Sequence, residues 1–132
     1  MTKDDLRPVY FLSDSTGITA ETLGNTLLTQ FPENDFDRIT VPFITTVAQA
    51  RAVVKVIDNL AATGLQPIVF STAVGSDIRQ ALATCKGILV DLIGTHVGQL
   101  EQALGAQASG EPGRAHGLGN AARYQSRMAA VE

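Results

Sequence analysis

Four short apolar runs alternate with four stretches of helical periodicity, and this alternation constrains the fold more than any other feature of the sequence. The runs cover residues 8–12, 38–43, 67–70 and 87–92. Strand–helix repeats of this length require parallel strands joined by right-handed crossovers. We therefore predict an α/β fold in which an open, parallel, four-stranded sheet carries helices on both faces.

The residues within each run predict where its strand lies in the sheet. Runs one, three and four are nearly continuous in apolar side chains, which is typical of strands covered on both faces. The second run alternates apolar and polar residues through Phe43 and contains Pro42, whose nitrogen cannot donate to a neighbouring strand. An edge position for the second strand favours the sheet order 2-1-3-4.

Each helical stretch carries an apolar stripe that we expect to pack on the sheet. The stripes consist of Ala20, Leu23, Leu27 and Phe31; of Val47, Ala50, Val54, Ile57 and Ala61; of Ile78, Leu82 and Cys85; and of Val97, Leu100 and Leu104. The second helix opens with Thr46 and Gln49 at the spacing of a capping box and closes at Gly64.

The amino-acid composition changes after the predicted α/β domain, which covers residues 1–104. Residues 105–119 are rich in Gly, Ala, Ser and Gln and predict a linker or loop. Apolar residues then recur at helical spacing, so residues 120–132 are expected to begin a C-terminal helix. No stop signal ends this pattern, and we therefore expect the natural protein to continue beyond Glu132.

In an open parallel sheet, ligands bind beyond the carboxyl ends of the strands, and three loops of this chain arrive there. Each loop combines small hydroxyl side chains with a glycine, and the helix start that follows supplies free N–H groups for an anion. The candidate ligand residues are Ser13, Asp14, Ser15, Thr16, Gly17 and Thr19 in the first loop, Ser71 and Thr72 in the second, and Asp91 and Thr95 in the third. Together they predict a site for a phosphate or a phosphorylated side chain.

The same residue types also have an ordinary structural interpretation. Ser and Thr at helix starts most often cap the helix, and glycine there most often serves a turn. Capping is the favoured interpretation of the second and third loops, whereas the first loop carries more polar groups than one cap requires. Asp14 would oppose an anion unless it binds a metal, orients a hydroxyl or pairs with an arginine, and it can equally be a cap.

A second group of polar residues lies near the end of the chain and consists of Arg114, His116, Asn120, Tyr124 and Arg127. The spacing puts Asn120, Tyr124 and Arg127 on one face of the predicted helix. Such a face suits the recognition of phosphate or carboxylate, with arginine as the bidentate donor. The alternative is a solvated helix face that holds no ligand.

Charge and composition exclude several classes of partner. The net charge is −3 and the three lysines (Lys3, Lys55, Lys86) are scattered, so nucleic acid is not an expected partner. No apolar run approaches the ~20 residues that span a bilayer, and residues 1–5 are too polar to open a signal peptide. A single cysteine, Cys85, fits a reducing compartment, and with two unmatched histidines it gives no support for a metal site. We predict a cytoplasmic protein with no membrane partner.

Several catalytic motifs are missing from the sequence. It contains no G-x-x-x-x-G-K-[ST] phosphate loop, no G-x-G-x-x-G after the first strand and no G-x-S-x-G turn. These motifs mark P-loop nucleotide enzymes, dinucleotide-binding folds and α/β-hydrolases. A receiver domain would carry an aspartate at the end of the third strand, where this chain has Ser71. We therefore expect no catalytic residue in this chain.

Two segments carry a resemblance to a known family. Residues 11–24 read FLSDSTGITAETLG, and residues 114–117 read RAHG and are followed by Asn120, Tyr124 and Arg127. These segments resemble the opening signature and the second block of the phosphoenolpyruvate synthetase regulatory protein family, whose plant relatives regulate pyruvate, phosphate dikinase. The resemblance extends in order and spacing over essentially the whole chain.

The resemblance implies a bifunctional regulator. Members of that family use ADP to phosphorylate a threonine of the target synthetase, and use inorganic phosphate to remove the phosphoryl group as pyrophosphate. Their nucleotide-binding P-loop lies in a second domain beyond the part matched here, so this chain alone is expected to be inactive and to bind no cofactor tightly. The resemblance implies phosphoenolpyruvate synthetase as partner and suggests a homodimer. It leaves target docking, phosphate binding or dimerisation as the role of this half.

Two other functional classes remain open from the sequence. The hydroxyl-rich first loop is similar to the phosphate loop of flavodoxins, although this chain has no Trp and only Tyr10 and Tyr124 as tyrosines to pack on a flavin. A flavodoxin-like domain that binds flavin or phosphate is therefore one alternative. A pure interaction module without any ligand site is the other.

Overall fold

A computed structural model describes residues 6–111 of the chain. In chain order its elements are β1 (Arg7–Leu12), α1 (Ile18–Leu28), β2 (Phe36–Val41), α2 (Val47–Ala62), β3 (Ile68–Ser71), α3 (Ser76–Leu82), β4 (Ile88–Asp91) and α4 (Gly94–Leu104). The strands are parallel and lie in the order β2-β1-β3-β4. This arrangement confirms the predicted fold class and sheet order. The predicted C-terminal helix lies outside the described residues.

The strand register brings all four carboxyl ends to one edge of the sheet. Leu12 at the end of β1 pairs with Val41 of β2 and with Ser71 of β3. Ser71 in turn pairs with Asp91, the last residue of β4. The loops that follow the strands therefore begin side by side at this edge.

One face of the sheet is covered in part by α1. Val9, Phe11 and Phe70 point to this face and form a core cluster with Ala20 and Leu28 of the helix. The rings of Phe11 and Phe70 stack with their centroids 5.8 Å apart. A stacked aromatic pair adds about 0.5–1.5 kcal/mol beyond the apolar area that it buries, so this pair is a central contact of the α1 face.

The opposite face is covered by α2 and α3. Tyr10, Leu12 and Val69 of the sheet pack against helix side chains that include Ile57 and Leu82. Alternation along β1 thus sends successive side chains to different cores, as expected of a strand at the centre of a two-faced sheet.

The start of α2 is fixed locally. Thr46 Oγ1 accepts a hydrogen bond from Gln49 N at 3.1 Å, and Gln49 Oε1 accepts one from Thr46 N at 3.1 Å. This reciprocal pair is the capping box that the sequence predicts.

Two of the predicted apolar stripes are wrong in most of their residues, although Ala20 of the first is buried as expected. Helix α1 packs through Ala20, Gly24 and Leu28, whereas Leu23 and Leu27 are 45% and 46% exposed. Phe31 lies beyond the end of α1, and α4 buries none of its residues. The physical reason for α1 is that small residues bring the helix close to the sheet, so its larger side chains project sideways over a part of the sheet that the described residues leave uncovered.

The strand predictions need correction at both sheet edges. Strand β2 ends at Val41, before Pro42, so Phe43 belongs to the following loop. Strand β4 is the other edge, and Ile88 at its start is 44% exposed. The edge position agrees with the predicted order, but no residue of β4 is fully buried, so the expectation that the fourth run is covered on both faces fails.

Cys85 follows α3 and is partly buried. Burial raises the pKa of its thiol, with a smaller contribution in the same direction from Asp58. The thiol therefore stays protonated at neutral pH, in agreement with the place of Cys85 in the predicted apolar stripe of the third helix.

Candidate functional site

Backbone hydrogen bonds extend the sheet past the strand ends and join the loops into one rim. Ser13 N donates to Val41 O at 3.2 Å, and Ile44 N donates to Ser13 O at 2.9 Å. On the other side, Thr72 N donates to Leu12 O at 3.1 Å. The first loop therefore lies between the loop after β2 and the loop after β3.

The first loop divides into a buried base and an exposed top. Ser13 and Asp14 are 2% and 8% exposed, whereas Ser15, Thr16 and Thr19 are exposed. Ser13 Oγ accepts a hydrogen bond from Ser15 N at 2.9 Å and lies 3.3 Å from Ser15 Oγ. The buried serine thus shapes the loop, while the hydroxyls that a ligand can reach are those of Ser15, Thr16 and Thr19.

The Asp14 carboxylate ties the first loop to the second. Its Oδ2 accepts a hydrogen bond from Val74 N at 2.8 Å, across a separation of 60 residues in the chain. A hydrogen bond to a charged acceptor is shorter and stronger than one between neutral groups. Asp14 therefore connects the first loop to the second and does not cap α1.

Gly17 fits the start of α1 for two reasons. Its φ is +90°, which favours glycine, and an added Cβ would lie 2.9 Å from Thr40 Cγ2. Gly17 is the N-cap of α1, and no side chain caps this helix. Thr16 Oγ1 lies 3.4 Å from Ile18 N, which is at best a weak contact. Capping therefore accounts for few of the polar groups in the first loop.

The second loop is buried at its start. Ser71 and Thr72 are 2% and 8% exposed, and Ser71 Oγ accepts a hydrogen bond from Ala73 N at 3.2 Å. These two hydroxyl residues support the turn after β3 from inside. A ligand can reach this loop at Ser76, which is exposed at the start of α3.

The third loop is held by Asp91. Its Oδ1 accepts hydrogen bonds from Ile93 N at 3.1 Å and from Gly94 N at 2.8 Å. Its Oδ2 forms an ion pair with Arg79 Nε at 3.1 Å, and its main-chain oxygen accepts the Thr95 hydroxyl at 2.8 Å. Asp91 and Thr95 therefore have structural partners in the turn before α4, although no side chain caps the helix itself.

A groove of about 290 Å³ opens beside the second and third loops. Its lining includes Val74, Ser76, Arg79, Ile93 and Val97. Arg79, which is ion-paired with Asp91, shares this wall with the exposed residue Ser76, and Glu101 and Glu111 line the same groove. The groove adds a second polar surface to the rim formed by the first loop.

The second predicted group lies outside the described residues. Arg114, His116, Asn120, Tyr124 and Arg127 all follow Glu111, the last residue that the structure describes. Their relation to the first loop stays a prediction, as does the linker over residues 105–119.

Sequence reasoning missed Phe43 at the rim. Its φ is +59°, a conformation that costs a bulky side chain energy, and the residue is 59% exposed. Phe43 N donates to Ser15 O at 2.9 Å, so the strained residue is held directly against the first loop. The apolar alternation of Ile39, Val41 and Phe43 led to the prediction that Phe43 belongs to the second strand. Pro42 was the local sequence signal that the strand ends before Phe43.

Replacing Phe43 with glycine should raise the free energy of unfolding by about 1 kcal/mol, because glycine adopts this backbone conformation without strain. Urea denaturation measures the change. Phe43→Ala is the matched control, since it removes the ring and keeps the strain, and it should give little or no gain. Equal stability of the two variants would show that the backbone at Phe43 stores no strain.

Residues 6–111 contain neither a cluster of metal-binding side chains nor a helix suited to span a membrane. Within this range no group of His, Cys, Asp and Glu could hold a metal ion. None of the helices α1 to α4 is both long and apolar enough to cross a bilayer.

The sequence was compared with known proteins. The model of the kinase/pyrophosphorylase family matches residues 9–132. A relative from Pseudomonas fluorescens (strain Pf0-1) is 44% identical over 126 residues, which are 95% of this chain and 46% of that protein. A relative from strain SBW25 of the same species is 46% identical over 127 residues, with the same coverage of 95% and 46%.

Both relatives, and one from Pseudomonas aeruginosa PAO1 that is 44% identical over 126 residues, are named provisionally as phosphoenolpyruvate synthase regulatory proteins. The chain spans about half the length of these curated relatives, since it covers 46% of each. The family match includes the first loop and the second group of polar residues. The chain therefore belongs to the kinase/pyrophosphorylase family.

Proposed function

We propose that a full-length protein containing this chain switches phosphoenolpyruvate synthetase off and on. In the first direction it transfers a phosphoryl group from ADP to a threonine hydroxyl of the synthetase. In the second, inorganic phosphate attacks the phosphothreonine, which yields pyrophosphate and restores the hydroxyl. Membership of the kinase/pyrophosphorylase family and the names of the relatives support this assignment.

The contribution that we propose for this chain is a binding rim for phosphoryl oxygens. The observation that carries it is the structure of the first loop, in which buried Ser13 bonds to Ser15 and buried Asp14 anchors the loop to Val74, while Ser15 and Thr16 stay exposed. Side chains that are fixed before a ligand arrives lose little freedom on binding it. Phosphoryl transfer depends mainly on positioning and on stabilising negative charge, and fixed hydroxyls serve both needs.

Helix α1 supports the same function. Its first turn has no side-chain cap, so main-chain N–H groups next to Thr19 can donate to an anion together with the Ser15 and Thr16 hydroxyls. The Asp14 carboxylate is engaged by Val74 N, which neutralises part of its opposition to an anion. The exposed side of the rim then presents hydrogen-bond donors, whereas the Asp14 carboxylate is buried.

ADP has no binding motif in this sequence, which lacks a P-loop. In this proposal the nucleotide binds the other half of a full-length protein, and the rim faces the reacting phosphoryl group. Docking of the target synthetase and formation of a homodimer are further parts of the proposal, and the second polar group at Arg114 and Arg127 would complete the phosphate site.

The test places this chain in a full-length family member and assays phosphorylation and dephosphorylation of the synthetase separately. Thr16→Ala and Ser15→Ala should each slow both directions about tenfold or more, because each loses a hydrogen bond to a charged group. Thr26→Ala, on an exposed part of α1, is the control and should leave both rates unchanged. Unaltered rates in the Ser15 and Thr16 variants would overturn the assignment and leave a pure interaction role.

A further inference from the structure

Phe43 lies on an open part of the rim, in a segment that is anchored next to the first loop. Its main-chain N donates to Ser15 O at 2.9 Å. The next residue, Ile44, donates from its N to Ser13 O at the same distance and is only 1% exposed. The backbone at Phe43 is therefore held against the first loop, while the residue itself stays 59% exposed.

Neither burial nor backbone preference accounts for a phenylalanine at position 43. The side chain leaves most of its apolar surface in water, so the fold gains little from its hydrophobicity. Its φ of +59° is a conformation that glycine adopts freely and that costs a bulky residue energy. Strained residues persist mainly at functional sites, and aromatic residues often anchor protein interfaces. Contact with a partner would account for both the exposed ring and the strained backbone.

The two chain segments that form this part of the rim carry no charge. Residues 15–20 and residues 40–50 contain no Asp, Glu, Lys or Arg. A Cβ on Gly17 would lie 2.9 Å from Thr40 Cγ2, so the two segments lie against each other. Glu21, the charged residue that follows the first segment, accepts a hydrogen bond from Thr40 Oγ1 at 2.9 Å. The surface around the first loop is therefore apolar and hydroxyl-bearing.

We propose that Phe43 docks the segment of the target synthetase that presents the phosphoacceptor threonine, by packing on an apolar side chain close to that threonine. This role rests on the proposed function, in which the threonine reaches the exposed hydroxyls of Ser15 and Thr16. In an extended segment, a residue one or two positions away lies about 3.5–7 Å from the threonine. Phe43, whose main chain bonds to Ser15, is placed to meet such a neighbour.

The same loop carries a second exposed apolar residue. Ile18, the first residue of α1, is 64% exposed and follows Thr16 by two positions. The exposed hydroxyls of the first loop are thus bordered by Ile18 along the chain and by Phe43 through its bond to Ser15. A segment laid across these hydroxyls would meet apolar surface on leaving them.

An apolar protein segment fits this surface better than a small ligand or a charged peptide does. Pockets for small ligands bury most of the ligand, whereas a residue that is 59% exposed does not line an enclosed cleft. A charged segment needs opposite charges nearby, and residues 15–20 and 40–50 offer none. The fitting partner is therefore an extended segment with an apolar residue near its threonine.

The test uses a full-length family member that carries this chain and measures kcat and KM in both directions. Phe43→Ala and Phe43→Gly should each raise KM for the synthetase about tenfold and leave kcat within about twofold, because a lost docking contact weakens binding without changing the reaction. Phe43→Tyr keeps the ring and should keep the parental KM. The KM values for ADP and for inorganic phosphate should stay unchanged in all three variants.

Phe31→Ala is the matched control for the loss of an exposed ring. Phe31 is 58% exposed, but it lines a groove with Arg7 and Ile88 at the amino-terminal ends of the strands, away from the rim. Its replacement should leave KM for the synthetase unchanged. Phe43→Gly keeps the main-chain bond to Ser15 and relieves the backbone strain, so a higher KM in this variant cannot come from unfolding.

An unchanged KM for the synthetase in Phe43→Ala would overturn the docking role, as would an equal rise in Phe31→Ala. A rise confined to KM for ADP would overturn it and assign the ring to the nucleotide. A fall in kcat alone would overturn it too, and would leave Phe43 as a residue that positions the first loop.

Failure of the proposed function would look different from failure of the docking role. Ser15→Ala and Thr16→Ala test phosphate binding through the rates of both directions at saturating synthetase. Slow Ser15 and Thr16 variants beside a Phe43→Ala protein with the parental KM would retain the phosphate rim and reject docking by Phe43 alone.

Discussion

Replacing Gly24 with alanine should lower the free energy of unfolding by about 1–3 kcal/mol, the usual cost of forcing extra volume into a packed core. A Cβ on Gly24 would lie 2.6 Å from Phe11 Cε1 and 2.9 Å from Phe70 Cδ2. Both atoms belong to the stacked ring pair under α1, so neither can move without disturbing the other. The loss should exceed the gain of up to ~1 kcal/mol that alanine brings to a helix interior.

Gly98 in α4 is the matched control for this prediction. It also lies inside a helix, but an added Cβ there would meet nothing within 4 Å. Gly98→Ala should therefore raise stability by up to about 1 kcal/mol, so the two substitutions have opposite signs. Urea denaturation monitored by circular dichroism measures both. A Gly24→Ala protein as stable as Gly98→Ala would mean that α1 does not approach the sheet as closely as described.

Replacing Asp14 with alanine should produce the second large effect, on both stability and activity. The substitution removes the part-buried hydrogen bond of 2.8 Å from Val74 N, and a hydrogen bond to a charged group contributes about 1.5–3 kcal/mol. It also disconnects the first loop from the second. In a full-length family member that carries this chain, phosphorylation and dephosphorylation of the synthetase should both fall by about tenfold or more, because misplaced binding groups lose their contribution to the transition state.

Asp14→Asn separates the two possible roles of this side chain. The amide oxygen of asparagine can still accept from Val74 N, while the negative charge is gone. If Asp14 positions the loop, Asn should restore most of the stability and most of the activity that Ala removes. An Asn variant as inactive as Ala, yet as stable as the parent, would contradict the positioning role and assign the charge itself to the reaction.

The sequence was sufficient for the fold because its signals are local and repeated. Runs of apolar residues separated by helical spacing leave few arrangements once crossovers are right-handed. The edge position of β2 was predicted correctly, although Pro42, on which the prediction rested, lies just beyond the strand. The capping box was predictable for the same reason, since both of its partners, Thr46 and Gln49, lie three positions apart in the chain. Parallel topology alone then brought the three polar loops to one edge.

The details that sequence could not provide depend on distant contacts. The hydrogen-bond partner of Asp14 is Val74, which lies 60 residues away in the chain. No local sequence pattern shows which main-chain N–H will donate to a distant carboxylate. The packing of α1 was mispredicted because Leu23 and Leu27 were assumed to face the sheet. Instead Gly24 faces it, since only a glycine fits over the rings of Phe11 and Phe70. Phe43 was assigned to a strand because it continues the apolar alternation of the second run. Such alternation does not reveal a backbone with a positive φ.

Titration of the ¹⁵N-labelled chain with inorganic phosphate tests most directly whether the rim binds phosphoryl oxygens. We predict saturable shifts of the amide signals of Ser15, Thr16 and Thr19, and weaker binding in the Thr16→Ala protein, with sodium chloride at equal ionic strength as the control. Shifts that match those in chloride, or that leave these three residues unchanged while others respond, would contradict the account.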